Sequence, residues 1–447
     1  MLRKAVILFM ALVMAFPAFA GAEEEALFPA CGEQELWGYI NAKGEWVIEP
    51  QFDSAGDFEC GKYAVAGVEF CDGIIDRKGN WVVEPCYSIE ELPNYGDEPE
   101  DILWLVKDEE ELPDGSHELA GEGFFDVESG YFSGIHKNWT VASYSESDLI
   151  PVRDCSGAYG ENNLGYINRR TGEQVIPYQY GTAPEWGVFH EGVAEASYDG
   201  ESDEDGDVLW HLIDDQGNEI PLDEGLRLVG GGAHCGRILV QDVKTDLFGY
   251  VDTKGKLVIP AVYLDAASFR KDRALVQFDE YGAALIDPDG NEIVRNDQIS
   301  YCGYYECGYA RVQYKDNRRT WDGWLSQDGR LIRKVSGDAM PIREDRFWES
   351  AWEEDYWYLT NEEGQVLSAN YKQDSFNYVS FRVADGRICV QNKDDLWGYV
   401  NEDGQEVIPC QWDEAQIFRN GLAYVEQEDL SAYIDTEGKI VFSWINE

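Results

Sequence analysis

The chain is short of most of what chemistry at a protein site requires. It has only 5 His in 447 residues, at 117, 136, 190, 211 and 234, and no His-x-x-x-His spacing among them. That removes the helical zinc motif, in which two imidazoles one turn apart share an ion. No Cys-x-x-Cys occurs, so there is no zinc ribbon and no thioredoxin-like redox pair. The Gly-x-Ser-x-Gly nucleophile elbow and the Gly-x-x-x-x-Gly-Lys phosphate loop are missing as well. Basic residues are scarce, 35 against 87 acidic ones, for a net charge of −52. A field of that sign repels nucleic acid and anionic lipid, and both are excluded as partners. No apolar run reaches the ~18 residues that a membrane span needs. No long 3.6-period stretch follows the first twenty residues, so little helix is expected.

Those first twenty residues have the pattern of an export signal. Arg3 and Lys4 supply the charged start and Ala5 to Phe16 the apolar run. Ala18-Phe19-Ala20 supplies the small-x-small cleavage site, so residues 1–20 are predicted to be removed near Ala20. The expected location is secreted, extracellular or in the cell envelope. Cys31 follows three glutamates rather than the apolar run, which argues against a lipid anchor. Two bases and no acids leave with the signal, so the mature chain carries 33 bases against 87 acids, a net charge of −54. The acids are spread through the chain and read mainly as a solvated surface. Hydrophobic residues make up 44% and aromatics 13%, which is the composition of a folded chain, not a disordered acidic one. Ten Cys in an exported chain permit disulfides, with Cys60–Cys71 a plausible local bridge.

What the chain does have is a repeat. Glycines that close tight turns fall at Gly44, Gly79, Gly130, Gly172, Gly217, Gly255, Gly290, Gly329, Gly364, Gly404 and Gly438, in steps of 34 to 51 residues. Before each turn stands an aromatic strand ending in Asn or Asp, as in Trp37-Gly38-Tyr39-Ile40-Asn41 and Phe248-Gly249-Tyr250-Val251-Asp252. The Asn or Asp side chain can accept the backbone N–H two residues on, and the later Gly takes the left-handed conformation that closes a hairpin. A valine-rich strand follows, for example Trp46-Val47-Ile48 or Glu406-Val407-Ile408, and many units then reach a proline such as Pro50, Pro177, Pro260 or Pro409. Proline cannot donate to a sheet ladder, so a strand end is expected there. A short Gly-x-Ala-x-Val strand comes later, as in Gly421-Leu422-Ala423-Tyr424-Val425. Each unit therefore holds three or four strands of about five residues. The Trp-Gly step reads as a stacking device: the ring fills the gap between units and the Gly admits a close backbone. Trp37, Gly38, Gly44, Phe248, Gly249, Gly255, Trp397, Gly398 and Gly404 are the expected packing residues.

The words Leu36-Trp37-Gly38-Tyr39-Ile40-Asn41-x-x-Gly44 and Leu396-Trp397-Gly398-Tyr399-Val400-Asn401-x-x-Gly404 resemble the WG-repeat family of bacterial proteins. Leu247-Phe248-Gly249-Tyr250 and Leu164-Gly165-Tyr166 match less fully. The resemblance implies tandem short β-strands, often in exported or surface proteins, with no shared catalytic residues. The predicted organisation is a signal at 1–20, a lead at 21–35, and about ten repeats plus a C-terminal half repeat over 36–447, with an acidic insertion at 93–123. The expected fold is all-β, one continuous propeller-like or open superhelical stack, with two β-propellers as the alternative.

Candidate sites lie where the pattern breaks. Glu201-x-Asp203-x-Asp205-Gly206-Asp207 spaces acids as a calcium loop does, although Leu212 stands where a bidentate Glu would be needed. Asp203, Asp205 and Asp207 are the weak metal candidates, and otherwise no cofactor is expected. Residues 319–382 lose the proline that follows the turn strand and gain tryptophans, so Trp321, Trp348, Trp352 and Trp357 are candidates for stacking on a sugar, with repeat core as the favoured alternative. Carboxylate pairs are too abundant for any one pair to point to a catalytic dyad. The expected function is a non-catalytic, exported repeat scaffold that binds a protein or surface ligand, with a carbohydrate-binding module as the alternative.

Overall fold

The computed structural model describes residues 25–91, 103–111, 117–141, 147–156, 163–181, 187–198, 201–202, 206, 208–279, 282–306, 309–316, 319–326, 330–335, 339–343, 345–350, 356–372 and 383–446. They form nine antiparallel sheets, two of which, of seven and eight strands, each run two units together, so eleven units follow one another. The units occupy 27–52, 54–87, 88–132, 139–180, 193–220, 226–263, 265–296, 299–335, 339–372, 383–412 and 414–445. The only helical turn among the described residues is a short 3-10 turn at Glu33–Glu35.

The turn chemistry is as the sequence predicts. Asn41 Oδ1 accepts from the amides of Lys43 and Glu45, both at 3.0 Å, and the Gly44 amide donates to the Asn41 carbonyl at 2.9 Å. Gly44 sits at φ +79°, where a side chain is strained. The Trp-Gly glycine has a different reason. A Cβ on Gly38 would lie 2.4 Å from the Ile48 carbonyl oxygen, and one on Gly398 would lie 2.6 Å from the Cys410 amide nitrogen. Gly249 meets the Ile259 carbonyl at 2.7 Å in the same way. The neighbouring strand passes over these glycines at a bulge, since Tyr39 pairs with Ile48 and Trp37 with Phe52. Proline therefore does not end the strand. Trp46–Phe52 runs through Pro50, which occupies the bulge, where a donor is not needed.

Each unit packs one face on the next. The buried apolar side chains form eleven clusters, ten between consecutive units and one between the last unit and the first. In that last seam Phe28, Ala30 and Ile40 pack with Leu422 and Tyr433, and the Tyr433 hydroxyl donates to the Pro29 carbonyl at 2.9 Å. Trp46 meets Phe442 at 5.2 Å and Trp37 meets Trp444 at 5.9 Å, both edge to face. The Gly44 turn lies on Val441 of the last strand, as the Gly79, Gly217, Gly290 and Gly438 turns lie on Ile48, Ile176, Ile259 and Ile408 of the preceding unit. The first and last units thus meet through the contact that joins the others, and the stack closes on itself as one ring rather than staying open or splitting into two propellers.

Three sequence boundaries shift as a result. The last unit is not a half repeat: Glu414–Ala415, Leu422–Gln427, Leu430–Asp435 and Ile440–Ile445 form a full four-stranded sheet. The lead is partly structural, because Leu27–Cys31 is the first strand of unit 1 and pairs with Trp37–Asn41. Both follow from phase: a sheet begins one or two strands before its Trp-Gly strand. In the expected insertion, Leu103–Glu111 and His117–Asp126 are paired strands whose Leu103, Trp104 and Val106 enter the core, while 92–102 and 112–116 lie outside the described residues. Cys60 and Cys71 sit at opposite ends of one hairpin: Cys71 pairs with Val68, and Cys60 precedes Tyr63. That separation rules out the bridge between them.

The stacking role falls mainly to the Tyr two residues after the Trp. Tyr39, Tyr166, Tyr250 and Tyr399 are fully buried. Their hydroxyls donate across the seam to the carbonyls of Gly56, Gly187, Ala267 and Gln416 at 2.7 to 2.9 Å. Each ring meets a Phe of the next unit edge to face, Phe58, Phe189, Phe269 or Phe418, at 4.7 to 5.0 Å. Trp37, Phe248 and Trp397 are half-buried at the margins of the same clusters.

Candidate functional site

Two of the tryptophans proposed from sequence, Trp348 and Trp357, lie in the core. Trp348 is fully buried and Trp357 is 4% exposed. Both pack with Tyr371 and Leu359 against Ile388, Val390 and Val400 in the seam between units 9 and 10. They are core residues, because their strands turn this face onto unit 10. Trp321 lies in the strand Arg319–Ser326, opposite Tyr314. Trp352 lies outside the described residues, as do Asp203, Asp205 and Asp207 of the calcium-like loop. Glu201, at the start of that loop, accepts from His211 Nε2 at 2.9 Å. Among the described residues no three His, Cys, Asp or Glu side chains converge as metal ligands.

A shallow, open depression lies elsewhere, at the junction of units 3 and 4. It has a volume of about 370 Å³, is lined mainly by polar atoms, and is bordered by Ile135, His136, Lys137, Asn138, Trp139, Asp154 and Ser156. Local structure explains how these side chains meet. Trp139 begins the first strand of unit 4 and pairs with Asp154 at the end of the second. The chain arrives at Trp139 through a turn, so His136 folds back on it, with ring centroids 3.5 Å apart and planes 15° from parallel. His136 Nε2 lies 3.1 Å from the Ser133 carbonyl and so carries the proton on that nitrogen. The Cys155 amide donates to the Asn138 carbonyl at 2.6 Å, and the Ser156 amide to Asp154 Oδ1 at 2.9 Å, which fixes the opposite lip.

Behind this slab the Trp139 indole N–H donates to Tyr178, whose hydroxyl is pushed above its usual range by burial and the nearby Asp154. Glu122, 4% exposed, accepts the Val141 amide at 2.6 Å and ties unit 3 to the same strand. The depression thus offers an aromatic slab two rings thick, ringed by an ammonium, an amide, a hydroxyl and a carboxylate. Such a set recognises a polyhydroxylated ligand by stacking and hydrogen bonds. Sequence reading missed it because Ile135–Trp139 falls in the most degenerate repeat. The available signal was a Trp standing outside the repeat register.

Known proteins bear on the architecture. The family model for WG-containing repeats matches at residues 37–66, 165–201, 248–281 and 397–430. These four segments are WG repeats. The matched segments begin at or beside the Trp-Gly strand and run on through the bulge, the proline and the following unit's first hairpin. The WG motif, read this way, spans a seam rather than a sheet. Comparison with curated proteins returns no match. Among solved structures the chain is similar to a eukaryotic initiation factor, at 10% identity over 78% of this chain and 96% of that one, with a TM-score of 0.40. It is also similar to the computationally designed Ika8 protein, at 10% identity over 80% and 96%, TM-score 0.33. BamB from Moraxella catarrhalis matches at 12% identity over 66% and 91%, TM-score 0.31. No helix among the described residues is long and apolar enough to cross a membrane.

Proposed function

We propose that this protein is exported and acts outside the cytoplasm as a non-catalytic scaffold that binds a protein or surface ligand. The observation that carries this reading is the division of labour within a unit. The Trp, Gly and Tyr of the motif are used in the seams, and the residue three after the turn glycine, which packs into a seam in five units, is left exposed in four. Val47, Val82, Val258 and Ile293 hold that place in four units and are 49, 42, 39 and 37% exposed. A recurrent aliphatic on an acidic surface suits a broad protein contact, as repeat architectures generally present one. Crosslinking on intact source cells should capture the same partner repeatedly with the native ring and lose it with the triple variant Val47→Lys, Val82→Lys, Val258→Lys. Undiminished capture by a correctly folded variant counts against the reading. Export is tested by the intact mass of protein from the medium or envelope, expected to begin at Gly21.

The depression at Trp139 favours a second reading, carbohydrate binding, moved from the buried tryptophans to this site. The stacked Trp139–His136 pair suits the apolar face of a pyranose, with Asn138, Asp154 and Ser156 for its hydroxyls. Titration with a panel of β-linked hexose and N-acetylhexosamine tetrasaccharides should show binding that Trp139→Ala abolishes and Trp357→Phe leaves intact. Absence of binding by the wild type across the panel removes this reading.

A further inference from the structure

The seam between units 5 and 6 differs from four of the others. At seams 1/2, 4/5, 6/7 and 10/11 a Tyr of one unit meets a Phe of the next. Here the corresponding residues are Leu212 and Ala233, both buried in the seam cluster. Beside them, in the strand Val193–Ala196, stands Glu195, 1% exposed. The corresponding position faces the next unit and is Val65, Leu239, Leu275, Cys389 or Tyr424 in five other units, whereas in unit 8 it is an exposed Arg311. A carboxyl has therefore replaced an apolar side chain at a packed joint. Neither of its oxygens has a hydrogen-bond partner of acceptable geometry.

Opposite it the strand Leu226–His234 breaks register between Leu228 and Ala233. The break holds three consecutive glycines, Gly230, Gly231 and Gly232, at φ +97°, +106° and +70°. Two of them are also crowded: a Cβ on Gly232 would lie 2.7 Å from His190 Cδ2 and one on Gly231 2.7 Å from Ser268 Oγ, while one on Gly230 would make an ordinary contact of 3.9 Å with Glu195 Oε2. The rings of His190 and His234 lie 5.1 Å apart across the seam. Other charged groups on these elements are engaged: Glu191 accepts the Gly236 amide at 2.6 Å, Arg227 holds Gln241 at 2.8 Å, His211 meets Glu201, and Asp214 caps its own turn.

We propose that this seam is a proton-operated joint, closed when the Glu195 carboxyl is neutral and loosened when it ionises between the His190–His234 pair and the three-glycine bulge. An ionised carboxylate there is drawn only by the Gly232 amide and His190, which offset part of the lost water, whereas a neutral carboxyl is tolerated. Burial pushes this group from 4.5 up to about 7, against the opposing pull of the Gly232 amide and His190. The sign follows: a carboxyl that binds its proton more tightly when folded stabilises the fold fully below the usual glutamate range and loses that contribution as pH rises through 7. The glycine bulge gives the strand a place to move without breaking the seams on either side.

The test compares wild type with Glu195→Gln and Glu195→Leu, the latter matching Leu239 and Leu275. Both variants should melt about 2–4 °C above wild type near pH 8, and the gap should close near pH 5. Hydrogen exchange of residues 190–197 and 226–236, corrected for intrinsic rates, should quicken in wild type as pH rises while the seam between units 6 and 7 stays unchanged. His190→Gln should move the midpoint upward. A gap independent of pH, or exchange that does not distinguish the two seams, overturns the proposal. Should both substitutions fail to fold, the carboxyl carbon of Glu195 in wild type can be titrated by NMR. A midpoint near the ordinary 4.5 overturns it equally.

Discussion

Two adjacent seams carry the main lesson of this molecule. Between units 6 and 7, Tyr250 is fully buried, donates to the Ala267 carbonyl at 2.7 Å, and meets Phe269 at 4.9 Å, with Leu239 closing the side. Between units 5 and 6 the same three places hold Leu212, Ala233 and Glu195. The strand pairing is antiparallel in both and the neighbouring units are stacked in the same way. A repeat scaffold tolerates such a change because each unit touches only its neighbours, so a weak joint costs one interface and leaves the others intact. It also shows where a WG ring can hold chemistry: at a seam that has given up its Tyr–Phe plug.

The comparison can be broken most severely from its strong side. Tyr250→Ala should cost about 3–5 kcal/mol, because it removes a buried ring and orphans the Ala267 carbonyl, whereas Tyr250→Phe should cost only ~1 kcal/mol. Urea unfolding measures both. If the alanine variant is as stable as the phenylalanine one, the Tyr is not the plug. Transplanting the weak seam's carboxyl is the next largest change. Leu239→Glu should cost on the order of 3 kcal/mol at neutral pH and recover on acidification, since the buried carboxyl is raised and favours the protonated state. Equal stability at acid and neutral pH would mean that seam 6/7 can open to hydrate the charge.

A third change sharpens the account of the motif. Gly38→Ala places a methyl 2.4 Å from the Ile48 carbonyl oxygen, so the overlying backbone must move. A loss of about 2 kcal/mol is expected, while alanine at Gly134, which has open space around it, should suffer only the strain of its positive φ. The smallest effect is local: Asn41→Ala removes the acceptor for the Lys43 and Glu45 amides and should cost roughly 1 kcal/mol, read as a small shift in the melting midpoint.

Much of the architecture was legible in the chain. The spacing of turn glycines and the Asn-to-Gly turns depend on contacts within a few residues, and local chemistry repeats wherever its words repeat. The need for glycine after tryptophan was also readable as a close backbone approach. The identity of the plug was not, because Trp37 and Tyr39 are both aromatic and, two residues apart on one strand, share a face. Which of them is fully buried depends on how deep in the seam each comes to lie. The same ambiguity left Trp348 and Trp357 open between ligand and core, since their burial comes from residues 388–400 rather than from their own surroundings.

Sequence alone established an acidic all-β repeat chain with the WG pattern, since composition, period and turn residues are properties of short segments. The number of sheets, their phase against the motif, the closure of Val441 on Gly44, and the meeting of Glu195 with a three-glycine bulge were decided by tertiary structure. Each of these depends on which face packs on which neighbour across tens or hundreds of residues. A period in one chain carries no information on where its ends come to rest until the seams are formed.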